Sequence, residues 1–371
     1  MARNDNHRNC HSEPKAKNLL DVNVQTSRAF AGAQDDTAER FLRYETVSAR
    51  TKILLLVLCL FGLCASPSAL WAQAKKPAVK LIYGVLTAAN GPIWLADDLG
   101  LFDKHGLDVR VVHARGATPV QATVSGAVEF GHYAGAQAVV ANLNGSDLTF
   151  VAAQTNYAVL SVWTKKDAPI KSISDLAGKT IALGAPASAS HTTMRLALRK
   201  VGITDKDVKF MHHGSQPEQF VSLDKGLVDA AVSSAPRPGY NELVNLAAQK
   251  IPLLQGAIVV RRAYLQSQRP IVMNLVKAFV EAMNVIKQKP EIAIASLMKH
   301  LKVRQDFAKE AYQSFAPVWE EVPYVRAESV QTILDLQPKE AVKDITPEKY
   351  IDNSLVRELE TSGFIKNLQR K

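Results

Sequence analysis

After Ala74 this sequence contains no cysteine. The 371-residue chain has three, Cys10, Cys59 and Cys64, and the last two sit in RTKILLLVLCLFGLCASPSALWAQA, Arg50 to Ala74. There a basic pair precedes an apolar run, Ile53 to Leu63, and small residues end in Ala72-Gln73-Ala74, the three-part layout of a secretory signal peptide. Cleavage after Ala74 would therefore leave no disulfide, no thiolate metal site and no cysteine nucleophile. Nor is a lipid anchor expected, since a lipobox needs a small residue before its cysteine and Cys59 and Cys64 follow Leu58 and Leu63. The sequence also lacks an apolar run of the roughly 18 to 20 residues that span a bilayer. The expected product is exported and soluble.

Residues 1–49 have mixed charge, few aromatics and no sustained period, which predicts an unfolded extension or a misassigned start. An alternative bacterial start at Val47 would give VSARTKILLLV, a conventional signal peptide. Beyond Ala74, 36 Lys/Arg face 28 Asp/Glu, a surplus that leans toward an anionic ligand. The lysines alternate with carboxylates (Asp205-Lys206-Asp207, Lys309-Glu310) and form no aromatic-interleaved basic stripe, which argues against nucleic acid.

Several catalytic and cofactor signatures are missing too. Gly178-Lys179-Thr180 matches the end of a nucleotide-binding P-loop, but Ile173 stands where its first glycine belongs. His212 and His213 point to opposite faces of an extended segment and have no spaced partner ligand, so no metal is expected. There is no Gly-x-Ser-x-Gly elbow and no nucleophile with an attendant base. No catalytic residue and no cofactor is predicted.

What the chain does have is an internal echo. Lys80–Gly84 reads as strand and loop, followed by an apolar helix (Ile93, Trp94, Leu95, Ala96), a turn at Gly106 and the strand Leu107–Val112. Lys179–Gly184 opens the same series, with a helix over Thr193–Leu198, a turn at Gly202 and the strand Asp207–Met211. Each half closes alike, in Ser125-Gly126-Ala127-Val128-Glu129-Phe130 and in Lys225-Gly226-Leu227-Val228-Asp229-Ala230. Strands alternating with helices predict α/β lobes, each a mainly parallel sheet flanked by helices. Crossings between lobes are expected at the polar stretch Lys165–Pro169, after the apolar strand Ala158–Trp163, and at the strand Leu254–Val260. From Pro270 the spacing of Leu275, Phe279, Ala282, Met283 and Ile286 predicts a helix, with further helices at 290–300, 304–315, 326–336 and 353–362 packing on the first lobe. The expected organisation is residues 75–163 with 257–371 as a discontinuous first lobe and 164–256 as the second.

The exported two-lobe layout, the phrase Ser174–Leu183, the Gly-x-Val-Glu/Asp endings of both repeats and Lys289-Pro290-Glu291 in the helical tail resemble the ABC-transporter solute-binding proteins. Within these the similarity is to the branch for nitrate, sulfonate, taurine and thiamine precursors. The resemblance implies a type II-like periplasmic-binding-protein fold, a monomer whose lobes close on a small solute and deliver it to an ABC permease and its ATPase. A sensory module feeding a signalling partner is an alternative. A thiamine-pyrimidine-synthase-like enzyme is disfavoured, because such enzymes need a cysteine-rich segment.

Open α/β sheets bind ligands at the carboxyl ends of their strands, which directs attention to the loops there. Thr87, Asn90 and Gly91 offer a hydroxyl, an amide and helix-terminal N–H groups before the first helix. The matching loop carries Ser188, Ser190, His191 and Thr192, more hydroxyls than N-capping alone requires. The resemblance implies that the loop with Tyr133, Gly135 and Gln137 lines the cleft. Asn156 follows another strand near the first crossing. Ser234 and Arg237 follow the last strand of the second lobe, where Arg237 is placed to pair with a carboxylate or sulfonate. Trp94 lies on the apolar helix face and is expected in the core.

Overall fold

The computed structural model describes residues 75–234 and 238–370. The expected signal segment and N-terminal extension, like Arg237, lie outside the described residues. In chain order the strands are β1 (Ala78–Tyr83), β2 (Asp108–His113), β3 (Phe130–Tyr133), β4 (Leu148–Tyr157), β5 (Ser161–Lys165), β6 (Thr180–Leu183), β7 (Lys209–His212), β8 (Ala230–Ser233), β9 (Tyr240–Asn245) and β10 (Pro252–Arg261). Helices α1 (Gly91–Asp98), α2 (Leu101–Lys104), α3 (Thr118–Ser125) and α4 (Gly135–Leu143) lie among the first four strands. Helices α5 (Ala189–Lys200) and α6 (Gln216–Asp224) follow β6 and β7. After β10 come α7 (Arg262–Ser267), α8 (Arg269–Gln288), α9 (Pro290–Leu301), α10 (Gln305–Phe315), α11 (Ala327–Asp335), α12 (Ser354–Thr361) and α13 (Phe364–Gln369).

The echo in the sequence is an echo in topology. One sheet has the order β2-β1-β3-β10-β4 and the other β7-β6-β8-β5-β9. In each, three strands form a parallel ladder, with Leu81 opposite Phe130 and Ile181 opposite Ala230 at its centre. The central strands β3 and β8 are buried at every residue, as expected of strands covered on both faces. Both sheets are mixed, because β10 and β4 in one, and β5 and β9 in the other, run antiparallel to their neighbours.

The passages between sheets are short and adjacent. Strand β5 already belongs to the second sheet, so the chain leaves the first at Ala158–Leu160, ahead of the polar stretch 165–169, and it returns between Asn245 and Pro252. Ala158 N donates to Ile251 O at 3.0 Å and Leu246 N to Leu160 O at 3.2 Å, so the two connections are tied side by side. Ala158, Val159 and Leu160 are apolar and buried, which hides the change of sheet inside a continuous apolar run.

Helix α8 buries Leu275, Phe279, Ala282, Met283 and Ile286, the stripe that its period predicts. With α9 it covers α1, whose Ile93, Trp94, Leu95 and Ala96 are all buried. Trp94 stacks on His300 with centroids 5.0 Å apart and meets Tyr83 edge-on at 5.8 Å, so it is a core residue. Helices α11 and α12 pack on β10 and β4 of the first sheet. Among the described residues no helix is long and apolar enough to cross a membrane.

Candidate functional site

Between the two sheets lies a cleft of about 370 Å³. Its walls are the segments that follow the parallel strands: Gly84 after β1, Arg115 and Gly116 after β2, His132 and Tyr133 ending β3, Gly184 after β6, His212 to Gly214 at the end of β7 and Ser234 after β8. The connection residues Val159 and Leu160 form part of its lining. Both sheets thus turn their carboxyl edges to one space, the arrangement in which α/β sheets take ligands.

Of the expected ligand residues, Thr87, Asn90, Tyr133, Gln137, Ser188, Ser190 and Ser234 line this cleft. Others are placed elsewhere for physical reasons. Gly91 opens α1 in the core, where an added Cβ would meet Ile286 at 3.0 Å and Trp319 at 3.4 Å. Gly135 opens α4 against Leu254, which a Cβ would meet at 2.9 Å. The His191 Nδ1 accepts from Ala187 N at 2.8 Å, and the Thr192 hydroxyl donates to Ala187 O at 3.4 Å. Those two side chains hold the turn before α5 rather than forming the cleft lining. Asn156 is fully buried in a network with Glu320, Tyr324, Arg326 and Ser329.

In the second lobe the hydroxyls are largely engaged by the fold. Ser188 caps α5 by accepting from His191 N at 3.4 Å, and Ser190 accepts from Gly184 N at 2.8 Å and lies 3.2 Å from Ser188 Oγ. Gly184 has no room for a side chain there, since a Cβ would stand 2.9 Å from Ser188 Oγ. Its carbonyl accepts from His212 Nδ1. Ser215 caps α6 in the same way, accepting from Glu218 N at 3.4 Å, while Glu218 accepts from Gly214 N at 2.9 Å. Burial would raise the Glu218 carboxyl, but Gly214 N–H and Arg115 hold it below its ordinary range.

The first-lobe wall is different. Asn90 Nδ2 donates to the carbonyls of Val85 and Thr87, and Asn90 Oδ1 faces His132 Nδ1 at 3.0 Å. His132 is buried, and burial lowers its pKa to about 4 against the opposing effect of Gln154. Gln154 and Gln255 are also buried and line the cleft beside it. Tyr133 turns its ring back over Gly131, where a Cβ would lie 2.2 Å from Cε1, and burial raises its pKa. Among the described residues no cluster of three His, Cys, Asp or Glu side chains could hold a metal.

Arg115, His132, Gln154, Gln219 and Gln255 line the cleft without having been expected there, as do His212 and His213, which the sequence suggested only as a metal pair to be set aside. The signal for the glutamines was legible: each interrupts an apolar strand, in Val151-Ala152-Ala153-Gln154 and in Leu253-Leu254-Gln255-Gly256. A polar residue in a buried strand needs a reason.

Residues 88–293 match the model of the NMT1/THI5-like family. The chain belongs to that family. This NMT1/THI5-like chain is 26% identical over 327 residues to a Brachyspira hyodysenteriae protein that carries the provisional name of an ABC transporter periplasmic binding protein, covering 82% of this chain and 91% of that one. Its fold is similar to that of the periplasmic aliphatic sulphonate binding protein SsuA of Escherichia coli, with TM-score 0.60, 19% identity, and 74% and 92% of the two chains covered. It is likewise similar to the periplasmic nitrate-binding protein NrtA of Synechocystis PCC 6803, with TM-score 0.62, 13% identity, and 78% and 89% covered. These likenesses support the two-lobe periplasmic-binding-protein fold.

Proposed function

We propose that this protein is the solute-binding receptor of an ABC importer, exported and cleaved near Ala74, which captures a small anionic solute, organic or inorganic, between its lobes and presents the closed form to a permease and its ATPase. The observation that carries this reading is the cleft itself, walled by the carboxyl edges of both sheets and lined at one side by Val159 and Leu160 of a connection that is bonded to its neighbour at 246–251. Two adjacent short connections are the geometry of a hinge, and a ligand that touches both walls stabilises the closed state. Helix α5 starts at the cleft, where its dipole favours an anionic group on the solute. The reading is of a receptor that acts as a monomer, not of an enzyme.

A thermal-shift screen of the chain from Lys75 onward, against sulfonates, nitrate, carboxylates and pyrimidines, tests it. A solute at about a hundred times its dissociation constant adds roughly 2.7 kcal/mol, or a few degrees in Tm for a chain of this size. Silence from every class would sink the receptor reading.

Arg115, in the loop after β2, meets Glu218 of α6 across the mouth of the cleft at 3.3 Å. Both side chains are well exposed, at 61% and 45%, so the pair contributes about 0.2 to 1 kcal/mol. Arg115→Ala is expected to speed solute release by up to about fivefold with little change in association. Stopped-flow dissociation of a bound solute reads this directly, and an unchanged off-rate would remove the latch.

A further inference from the structure

Both walls of the cleft leave polar atoms open, the first lobe more of them. In the second lobe Ser188, Ser190 and His212 are bonded within the fold, while His213 Nε2 and Gln219 Oε1 have no partner among the described residues. In the first, His132 Nε2, both polar atoms of Gln154 and both polar atoms of Gln255 have no hydrogen-bond partner among the described residues. These side chains are 3%, 0% and 6% exposed, and all three line the cleft. Buried polar atoms left without partners are costly, so such a group facing a cleft points to a partner that arrives with a ligand.

His132 says which kind of partner. The Asn90 amide is oriented by its own bonds: Nδ2 donates to the carbonyls of Val85 and Thr87, which turns Oδ1 toward His132 Nδ1 at 3.0 Å. A carboxamide oxygen accepts and never donates, so Nδ1 carries the ring proton. Burial keeps the ring neutral. Nε2 is therefore a lone pair, an acceptor only. Gly256 keeps the space in front of it open: a Cβ there would stand 2.5 Å from Gln154 Oε1 and 3.6 Å from His132 Nε2.

We infer that the solute carries an uncharged hydrogen-bond donor, an amine, amide or ring N–H or a hydroxyl, that donates to His132 Nε2 in a subsite bounded by Gln154, Gln255 and Gly256. This deepens the receptor reading and rests on it. A bare inorganic oxyanion offers only acceptors and would set lone pair against lone pair. The carboxamides of Gln154 and Gln255 each donate and accept, so a group with both functions satisfies more of the wall than a donor alone.

The test uses matched probes on the chain from Lys75 onward, measured by titration calorimetry: isethionate against ethanesulfonate, 4-aminopyrimidine against pyrimidine, and nitrate alone. Within each pair the donor-bearing member is expected to bind at least about tenfold tighter, because a site built to bond a donor rejects the analogue lacking it. His132→Phe should reduce that preference to about twofold or less. Gly256→Ala, whose Cβ displaces Gln154 Oε1 but lies 3.6 Å from the ring, should do the same by filling the subsite, and it keeps the test alive if the phenylalanine variant fails to fold.

Long-range ¹H–¹⁵N spectra of histidine-labelled protein at pH 7 should show the Nδ1–H tautomer of His132. Equal affinities within the pairs, as would follow if Gln154 already satisfied Nε2, overturn the inference and leave the receptor reading standing. An Nε2–H tautomer overturns it whatever binds. Silence from every probe counts against the receptor reading, and the tautomer then decides this inference alone.

Discussion

Asn156→Ala is expected to cost the free protein about 3 to 4 kcal/mol and to lower its Tm by roughly 5 to 6 °C, with solute affinity nearly unchanged in the fraction that remains folded. The side chain is fully buried, and its carboxamide is saturated. Nδ2 donates to Glu320 Oε1 at 3.0 Å and to Tyr324 O at 2.8 Å, while Oδ1 accepts from Arg326 N and from Ser329 Oγ, both at 2.9 Å. One residue at the end of β4 thereby fixes the segment that leads into α11. Truncation leaves several buried groups without partners at once, and each such group costs about 1 to 3 kcal/mol before the structure relaxes. Because the bonds share one side chain, the losses are not additive. Asn156→Asp sharpens the test: it removes both donors and sets a second carboxylate against Glu320, so it should be at least as damaging at pH 7. Chemical denaturation of both variants alongside the wild type provides the comparison. A stable alanine variant with weakened solute binding would instead return Asn156 to the ligand site that its position after a strand suggested.

That residue illustrates where the sequence was legible and where it was not. Period and punctuation carried the fold. The spacing of Leu275, Phe279, Ala282, Met283 and Ile286 marks the buried stripe of α8, and the helices expected at 290–300, 304–315, 326–336 and 353–362 fall at 290–301, 305–315, 327–335 and 354–361. The repeated strand, helix and glycine series corresponds to the equivalent ladders β2-β1-β3 and β7-β6-β8. The point where the chain changes sheets was hidden, because residues 158–163, apolar except for Ser161, are buried on both sides of the change. In the site, position after a strand located the loops but not the direction of each side chain. Ser188 and Ser190 reach the cleft, whereas Thr192 turns back to Ala187 O. The hydroxyl-rich stretch before α5 is explained in large part by the needs of a tight turn, which passes through Ala187 at a φ of 58°. Left-handed backbone at a residue with a Cβ persists where surrounding bonds hold it, and here Ala187 N and O are bonded to His191 and Thr192.

The second large effect is on stability against pH. His132 is fully buried, and its pKa is lowered to about 4 from an ordinary 6.5, with burial as the cause. The folded ring therefore resists protonation over a range in which the unfolded chain accepts a proton. Stability is full above pH 6.5, falls as the pH drops from there toward 4, and levels off below the folded pKa, where both states are charged. A gap of this size corresponds to about 3 kcal/mol at pH 4. His191 is lowered to about 4 by burial, with Arg195 and His212 adding to it. Being partly exposed, it contributes less in the same direction. The carboxyls of Asp98 and Glu281 are held below their ordinary range by Lys299, Ser296 and His300 in one case and by Lys104 and His105 in the other, despite burial. Their loss begins only as the pH approaches the ordinary carboxylate range, whereas burial also lowers His113 and raises the Asp97 carboxyl, so it is the difference between wild type and His132→Phe from pH 6.5 to 5 that reports His132. Urea unfolding at half-unit steps across that interval should show a steady fall for the wild type and a flatter course for His132→Phe, whatever the variant's absolute stability. Parallel curves would mean that His132 takes up a proton in the folded state, and with that charge the lone pair facing the cleft would be lost.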